Sequence, residues 1–366
     1  MTDTILIYGA NGYTGKLVCE EAIKQNISIH IVGRNKEAIE ELAKEWKVAH
    51  SIVGLENQQE LDSLLTTYKT VIHCAGPFTE TAEPMVQSCI RTKTNYIDIT
   101  GEIWAFEIVM KYHQQAEEAG IQMISGAGFD VVPTDCLAAY LKEAVPTATH
   151  LEMAFVGNKT SLSRGTAVTM AKNISKGGFI REDGKLKNVP LAYKSKEIEF
   201  PHRKQWTMTI PWGDLMTAYH QTNIPNIEIY SGASKKMIKK LRRFRWLKFL
   251  LSISWIQKIV RSKIEKSVKG PTSDQLSEGN TYIVGRAWDQ ENNSAELKMI
   301  TPEAYHLTAK TALSAAIKLN RKENDKKGYL TPAQAFGKEF ILEFEGVELI
   351  GHKKTPVNQT GVNYQP

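Results

Sequence analysis

The feature that most constrains this chain is Gly9-Ala10-Asn11-Gly12-Tyr13-Thr14-Gly15, which lies between a short β-branched apolar stretch, Thr4–Tyr8, and a helix-patterned one, Gly15–Gln25. A glycine turn between a strand and a helix leaves the first amides of the helix unpaired, and their positive end favours a phosphate. Glycines at this spacing also let the backbone approach a pyrophosphate closely. Gly9, Asn11, Gly12, Tyr13, Thr14 and Gly15 are therefore expected to cradle a dinucleotide. The spelling, Gly-x-x-Gly-x-x-Gly, is a variant of the usual fingerprint, so its position in a βαβ pattern carries the inference. A turn that merely ends the strand is the plainer alternative.

The alternation continues. Ile27–Val32 reads as a second strand, closed by Gly33-Arg34-Asn35 and followed by a helix through Trp46; further strands are expected at Ala49–Val53, Thr70–Ala75, Asn95–Ile99 and Gln122–Ser125, with helices between. Strands alternating with helices imply a doubly wound parallel sheet with right-handed crossovers. Residues 1–135 are thus expected to form a Rossmann domain of the α/β class.

Beyond Gly126-Ala-Gly-Phe-Asp-Val-Val-Pro-Thr-Asp135 the pattern changes. Strand-like stretches at His150–Val156, Lys196–Phe200 and Asn226–Tyr230, and a hairpin from Thr281–Asp289 to Ala295–Ile300, predict an α+β domain over residues 136–328 with a mainly antiparallel sheet. Thr301-Pro302 and Thr331-Pro332 read as helix starts, Phe340–Leu349 as a strand, and the residues from Lys353 as a frayed tail.

Ligands of open α/β sheets bind outside the carboxyl ends of the strands. After the second strand an acid would accept the ribose hydroxyls and repel a 2′-phosphate. This chain has Arg34 and then Asn35 there, which favours NADP(H) over NAD(H). Ala75, Gly76, Pro77 and Phe78 end the fourth strand and are expected to border the nicotinamide, and Gly101 follows the fifth. Tyr96, Asp98 and Asp130 are candidate catalytic groups near the reacting end, each with the plainer reading of capping a helix or orienting amides. No tyrosine is followed four residues on by a lysine, so proton delivery by a Tyr-x-x-x-Lys pair is not expected. His73, His113 and His220 read as structural or exposed groups.

The four cysteines show neither a Cys-x-x-Cys spacing nor a nearby histidine pair, so no metal site is expected and a reducing cytoplasm suits them. The amino terminus lacks a basic segment followed by a cleavable apolar one, and secretion is not expected.

The net charge of +6 is unevenly spread: Lys235–Lys269 holds 13 Lys/Arg and one acid, Glu265, leaving −6 on the rest of the chain. Such segregation points to one local anionic contact rather than a surface that coats nucleic acid. The apolar runs of residues 235–260 are far shorter than the roughly 20 residues a membrane span needs. An interfacial helix presenting Trp246, Phe249, Leu250, Trp255 and Ile256 to lipid at the inner face of a membrane is the preferred expectation. A helix docked on its own domain, and a site for an acidic partner, stay open.

The loops taken together, Gly-Ala-Asn-Gly-Tyr-Thr-Gly, Gly-Arg-Asn, Ala-Gly-Pro-Phe, Tyr-Ile-Asp-Ile-Thr-Gly-Glu and Gly-Phe-Asp-Val-Val-Pro-Thr-Asp, resemble the saccharopine dehydrogenase-like oxidoreductases, which include the trans-acting enoyl reductases. The resemblance spans residues 1 to about 140, with a weaker likeness at Tyr305–Leu319 and Gly328–Gly337. It implies an NAD(P)-dependent reductase whose second domain closes over the nicotinamide, with residues 329–366 as a closing segment that returns to the first domain, and a homodimer is compatible with it. The resemblance does not imply saccharopine as substrate, since a set of arginines for amino-acid carboxylates is not matched. Hydride transfer to an enoyl, keto or imine substrate, small or lipid-linked, is the main expectation. A non-catalytic NADP-binding scaffold at membranes is its rival, and a lysine-pathway saccharopine enzyme a weaker one.

Overall fold

Short apolar strands alternate their side chains between two faces, and this builds the first domain. In β1 (Ile5–Tyr8), Ile5 and Ile7 join one buried cluster while Leu6 and Tyr8 join another. A strand buried on both faces belongs in a parallel sheet covered by helices on each side. β1 pairs in parallel with β2 (Ile29–Gly33) and β4 (Thr70–His73); β3 (Ala49–Ile52), β5 (Asn95–Asp98) and β6 (Gln122–Ile124) extend the sheet. The computed structural model describes residues 1–158, 161–174, 176–246, 259, 262–264, 267–268 and 270–354.

The helices of this domain are α1 (Tyr13–Lys24), α2 (Lys36–Trp46), α3 (Gln58–Leu65), α4 (Phe78–Thr92), α5 (Ile103–Met110) and α6 (His113–Ala119). Leu61 and Leu65 of α3, Met85 and Val86 of α4 and Val109 of α5 cover one face, while Val18 and Cys19 of α1 and Ile39 of α2 cover the other. The chain then passes through α7 (Val132–Ala144) into the second sheet.

That sheet runs in the order β10-β11-β12-β7-β13-β14-β16, with a β8-β9 hairpin attached to β12. Its strands are β7 (His150–Gly157), β8 (Gly178–Glu182), β9 (Lys185–Val189), β10 (Ser195–Glu199), β11 (Lys204–Thr209), β12 (Asn226–Gly232), β13 (Asn280–Trp288), β14 (Ser294–Pro302) and β16 (Glu348–Lys354). Every pairing is antiparallel except β12 with β7. The mainly antiparallel second sheet expected from the sequence is present. One face of it packs on α7 and α9 (Asp214–Thr222), where Leu151, Met153, Ile227, Ile229, Ile283 and Leu297 join the core of the first domain. The other helices are α8 (Arg164–Ile174), α10 (Lys235–Phe244), α11 (Ser273–Glu278), α12 (Ala304–Asn320) and α13 (Pro332–Phe336).

The chain returns to the first domain through α12 and β15 (Gly328–Leu330), which adds a seventh strand in parallel beside β6. α12 packs on α1, and its Thr311 hydroxyl donates to the Ala127 carbonyl at 2.8 Å. The return therefore begins before residue 329, and the closing segment does not stay with the first sheet, since β16 pairs with β14.

Three local expectations are corrected. Thr301 and Pro302 end β14 rather than start a helix, because they lie opposite Thr281 and Asn280 in the β13-β14 ladder; α12 is capped by the Glu303 carboxylate, which accepts from the amides of Tyr305 and His306. Phe340–Leu349 is not one strand: Lys338–Glu343 forms a 3-10 turn that buries Phe340 and Ile341, and the strand begins at Glu348 after Gly346 turns the chain at φ +82°. Lys353 and Lys354 belong to β16, while residues 355–366 lie outside the described residues. Thr331 does open a helix, with Gln334 completing a reciprocal cap.

Among the described residues no helix is long and apolar enough to cross a membrane. Trp246 is exposed, at 66%. Phe249, Leu250, Trp255 and Ile256 lie outside the described residues.

Candidate nucleotide-binding and active site

The glycine turn ends β1 with Gly9 at φ +84°, a conformation that costs a non-glycine residue energy. A Cβ on Gly9 would lie 2.8 Å from the Cβ and amide nitrogen of Ala75, and one on Gly15 would lie 2.3 Å from the Gly9 carbonyl oxygen. The turn is thus compressed from both sides, and only bare backbone fits. α1 starts at Tyr13 with no side chain capping it and no acid in its first turn. The unpaired amides of that turn and the absence of a competing carboxylate fit a pyrophosphate. Asn11 lies beside the end of β2, its side-chain oxygen 3.1 Å from where a Cβ on Gly33 would sit. Arg34 follows as an exposed residue, and the Asn35 side chain accepts from the Ala38 amide to cap α2.

Tyr13 has a second engagement. Its hydroxyl donates to the Pro271 carbonyl at 2.9 Å, and its ring stands edge-on to Tyr305 with centroids 5.2 Å apart. The Tyr305 oxygen accepts from the Ser163 amide at 2.7 Å and is 2.9 Å from the Thr166 hydroxyl. The residue beside Gly12 therefore touches two distant segments of the chain directly and a third through Tyr305.

Ala75, Gly76, Pro77 and Phe78 run from the end of β4 into α4, alongside Gly9. No side chain of the cap residue satisfies the start of α4; instead Glu102 reaches it from the next loop, accepting from the Phe78 amide at 2.9 Å and the Thr79 amide at 3.4 Å. An anion at a helix start is stabilised by the helix dipole. Glu102 itself is held in place by the Thr100 hydroxyl, which accepts from its amide.

The three catalytic candidates separate clearly. Asp98 is fully buried and accepts from four donors: the Tyr96 hydroxyl, the Ser125 hydroxyl, and the amides of Thr100 and Gly126, all at 2.8–2.9 Å. Tyr96 is equally buried, with its hydroxyl committed to Asp98. This pair ties the loops after β5 and β6 together. Asp130 is placed differently: its carboxyl lies against Gly101, where an added Cβ would be 2.6 Å from Oδ2. Burial first, and the neighbouring Glu102 charge second, push the Asp130 carboxyl up to about 7. Burial raises the Asp98 carboxyl and the Tyr96 hydroxyl as well, but both are bonded to each other and fully buried, whereas Asp130 is partly exposed.

The opposite wall comes from the second domain. The Trp212 indole donates to the Asp130 carbonyl at 2.9 Å, and Gly213 sits against Phe106 and the Gly101 carbonyl. Trp212 contacts Phe155 of β7 at a centroid distance of 5.1 Å, and Phe155 meets Phe129 at 6.1 Å. Phe155 and Trp212 are half-exposed, so an aromatic surface stands beside Asp130. Arg181, 6% exposed, does not serve this space: its guanidinium donates to the carbonyls of Leu215 and Gly184, 2.6 Å each, and lies over the Tyr219 ring.

Trp212, Phe155, Glu102 in its capping role and the Tyr305 clasp are not foreseeable from the sequence as parts of one site. For Glu102 a signal existed, an acid four residues past the end of β5 and next to the start of α5. For Trp212 there was none beyond a lone Pro-Trp-Gly in a loop.

A parallel α/β domain with a glycine turn, joined to a second, mainly antiparallel sheet, defines the class: the architecture of two-domain NAD(P)-dependent oxidoreductases. The comparisons refine this. Residues 5–124 match the model of the saccharopine dehydrogenase NADP-binding domain. The chain is 25% identical to the saccharopine dehydrogenase-like oxidoreductase of Rattus norvegicus, over 93% of this chain and 94% of that one. It is 30% identical over 141 residues to the trans-acting enoyl reductase of Mycobacterium leprae, 36% of this chain and 33% of that one. The alignment with the mouse relative likewise spans only 37% of that protein's length. Saccharopine dehydrogenase (L-Glu forming) from Saccharomyces cerevisiae shares the fold, with a TM-score of 0.65 at 12% identity, over 95% of this chain and 100% of that one. The first domain is thus of the saccharopine dehydrogenase NADP-binding type, and the chain is similar over nearly its whole length to a saccharopine dehydrogenase-like oxidoreductase.

Proposed function

We propose that the protein reduces an apolar, unsaturated or carbonyl-type acceptor with NADPH in the cleft between its two sheets, and that Asp130 is the proton donor. The observation that carries this is the Asp130 carboxyl, set against Gly101 and pushed up to about 7 by burial and by Glu102. NADPH, when bound, supplies a hydride. The backbone of Gly9, Gly12 and Gly15 and the first amides of α1 would hold its pyrophosphate, Arg34 its 2′-phosphate, and Ala75–Phe78 and Gly101 would border its reacting end.

Asp130 gives its proton to the atom next to the acceptor carbon and is reprotonated from solvent, so reduction consumes one proton. A general acid works best with a pKa close to the working pH. Glu102 keeps Asp130 protonated, and is itself anchored by the α4 amides rather than free to compete. Phe155 and Trp212 supply an apolar, flat surface and exclude water from that proton.

The aromatic wall favours an enoyl or keto acceptor, including one on a lipid chain, over an amino-acid adduct such as saccharopine. A dicarboxylate would need convergent cations, and Arg181 is already committed to carbonyls.

The test combines nucleotide titration with a reductase screen on enoyl and keto substrates. The wild type is expected to bind NADPH about tenfold more tightly than NADH, with that preference lost in Arg34→Ala. Asp130→Asn should bind NADPH as the wild type does and lose about 10²–10⁴-fold in turnover. Since the donor must be protonated, wild-type turnover should fall as pH rises through about 7, and the residual rate of the variant should lack that limb. NADPH binding without reductase activity on any acceptor would instead favour a non-catalytic nucleotide-binding protein.

A further inference from the structure

We propose that the outward face of α10 is a docking surface for an anionic lipid bilayer. The helix is spaced so that its two long sides do different things. Ile238 is buried with Ala192 and Ala233, and Leu241 packs with them against Trp206 and Met208. Arg242 fixes the same side by donating to the carbonyls of Ala192 and Tyr193 and to the Ser195 hydroxyl, and Lys235 lies 4.5 Å over the Trp206 ring. The apolar stripe is thereby used up within the protein.

At 100° per residue, Lys236, Lys239, Lys240 and Arg243 fall on the opposite side, and all are exposed. Among the described residues no carboxylate pairs with any of the four. Large apolar side chains stand among them: Met237 is 47% exposed, Phe244 45% and Trp246 66%. Three such side chains in water around a cluster of unpaired cations are unlike a merely solvated helix face. Lysine and arginine with tryptophan and phenylalanine is the composition of a surface that rests at a headgroup layer, the cations meeting anionic lipid and the apolar groups entering just below. A nucleic acid or an acidic protein would satisfy the cations and leave Met237, Phe244 and Trp246 in water.

The charge balance supports a single docked orientation. Residues outside Lys235–Lys269 sum to −6, so an anionic surface repels the remainder of the protein and attracts this segment. Because Ile238 and Leu241 remain packed on the second domain, α10 does not sink into the bilayer as a free amphipathic helix. Contact is made by side chains of a helix already fixed in the fold, and is reversible and sensitive to salt.

The test is cosedimentation of the full chain with phosphatidylcholine vesicles, with or without about one third phosphatidylserine. The wild type should bind only the anionic vesicles, and lose binding in high salt. Two variants read the two components: Lys236→Gln/Lys240→Gln/Arg243→Gln and Phe244→Ser/Trp246→Ser should each weaken binding about tenfold, with NADPH binding unchanged as the check of fold. Three results would overturn the proposal: no binding to anionic vesicles, vesicle binding indifferent to both variants, or retention on duplex DNA or heparin without vesicle binding. NADPH titration is read separately, so failure here leaves the reductase reading standing.

Discussion

The two walls of the cleft are made by different means. The near wall is backbone: Gly9, Gly12 and Gly15 lie within one turn of chain, and their glycine character follows from contacts of 2.3–3.2 Å that a Cβ would make with Ala75 and with the Gly9 carbonyl. The far wall is side chain: Trp212 reaches Asp130 across 82 residues of sequence, and Pro271 reaches Tyr13 across 258. A wall built of local backbone leaves a motif, whereas one built of distant side chains leaves almost none. The difference also separates roles, since the near wall suits a nucleotide common to many enzymes and the far wall must suit one acceptor.

Breaking the near wall alone should have the largest effect. Gly9→Val places a branched side chain at φ +84° and against Ala75, a strain of about 1–3 kcal/mol before the overlap is counted. NADPH affinity is expected to fall by about a hundredfold or more in calorimetry, while circular dichroism stays near wild type. An unaffected affinity would show that the turn does not hold the nucleotide.

Breaking the second domain behind the far wall should reach stability and leave the nucleotide. Arg181→Ala removes the bond from β8 to the Leu215 carbonyl of α9 and the bond to the Gly184 carbonyl in the β8-β9 turn. Unpaired buried polar groups cost about 1–3 kcal/mol each. A thermal melt should show a loss of several degrees, with the NADPH dissociation constant within about threefold of wild type. A collapse of nucleotide binding would mean that the two domains are not separable.

The smallest effect tests their connection. Tyr13→Phe deletes the bond to Pro271 and keeps the ring against Tyr305, a change of about 0.5–1.5 kcal/mol. A few-fold weaker NADPH binding is expected, since Tyr13 follows the phosphate turn directly. No change would show the clasp to be a structural contact without influence on the nucleotide.

Much of the first domain was legible because each βα unit is decided within about 30 residues. Strand, turn and helix there follow one another, and parallel strands with helices between them have few ways to pack. The second sheet was legible as antiparallel but not in its order. The β8-β9 hairpin, β11, α8 and α9 were not read at all. β12 lies parallel to β7, with four strands and α8 and α9 between them in sequence, and no local pattern announces such a partner. Thr301-Pro302 shows the same limit in miniature: the dipeptide has the chemistry of a helix start, yet pairing with Asn280 and Thr281 in the ladder keeps it extended.

The candidate site divides along the same line. Gly9 through Gly15, Arg34, Ala75–Phe78 and Gly101 could be named because their residue types alone suit a backbone turn, a phosphate and a strand end. Asp98 and Asp130 looked alike, two acids after neighbouring strands. What distinguishes them is their surroundings: four donors around the buried Asp98, against a second carboxylate, Glu102, beside Asp130. α10 is a third instance, since its charge was plain in the sequence while only packing decided that Ile238 and Leu241 face inward and Trp246 outward.

The sequence alone determined the nucleotide turn, the parallel first sheet and the concentration of positive charge, because glycine conformation, strand periodicity and net charge are properties of short stretches of chain. The tertiary structure decided which acid is surrounded by donors and which by a second carboxylate, which aromatic rings meet across the two domains and which face of the basic helix meets solvent. Those depend on desolvation and on partners brought from far along the chain, and neither exists until the chain has folded.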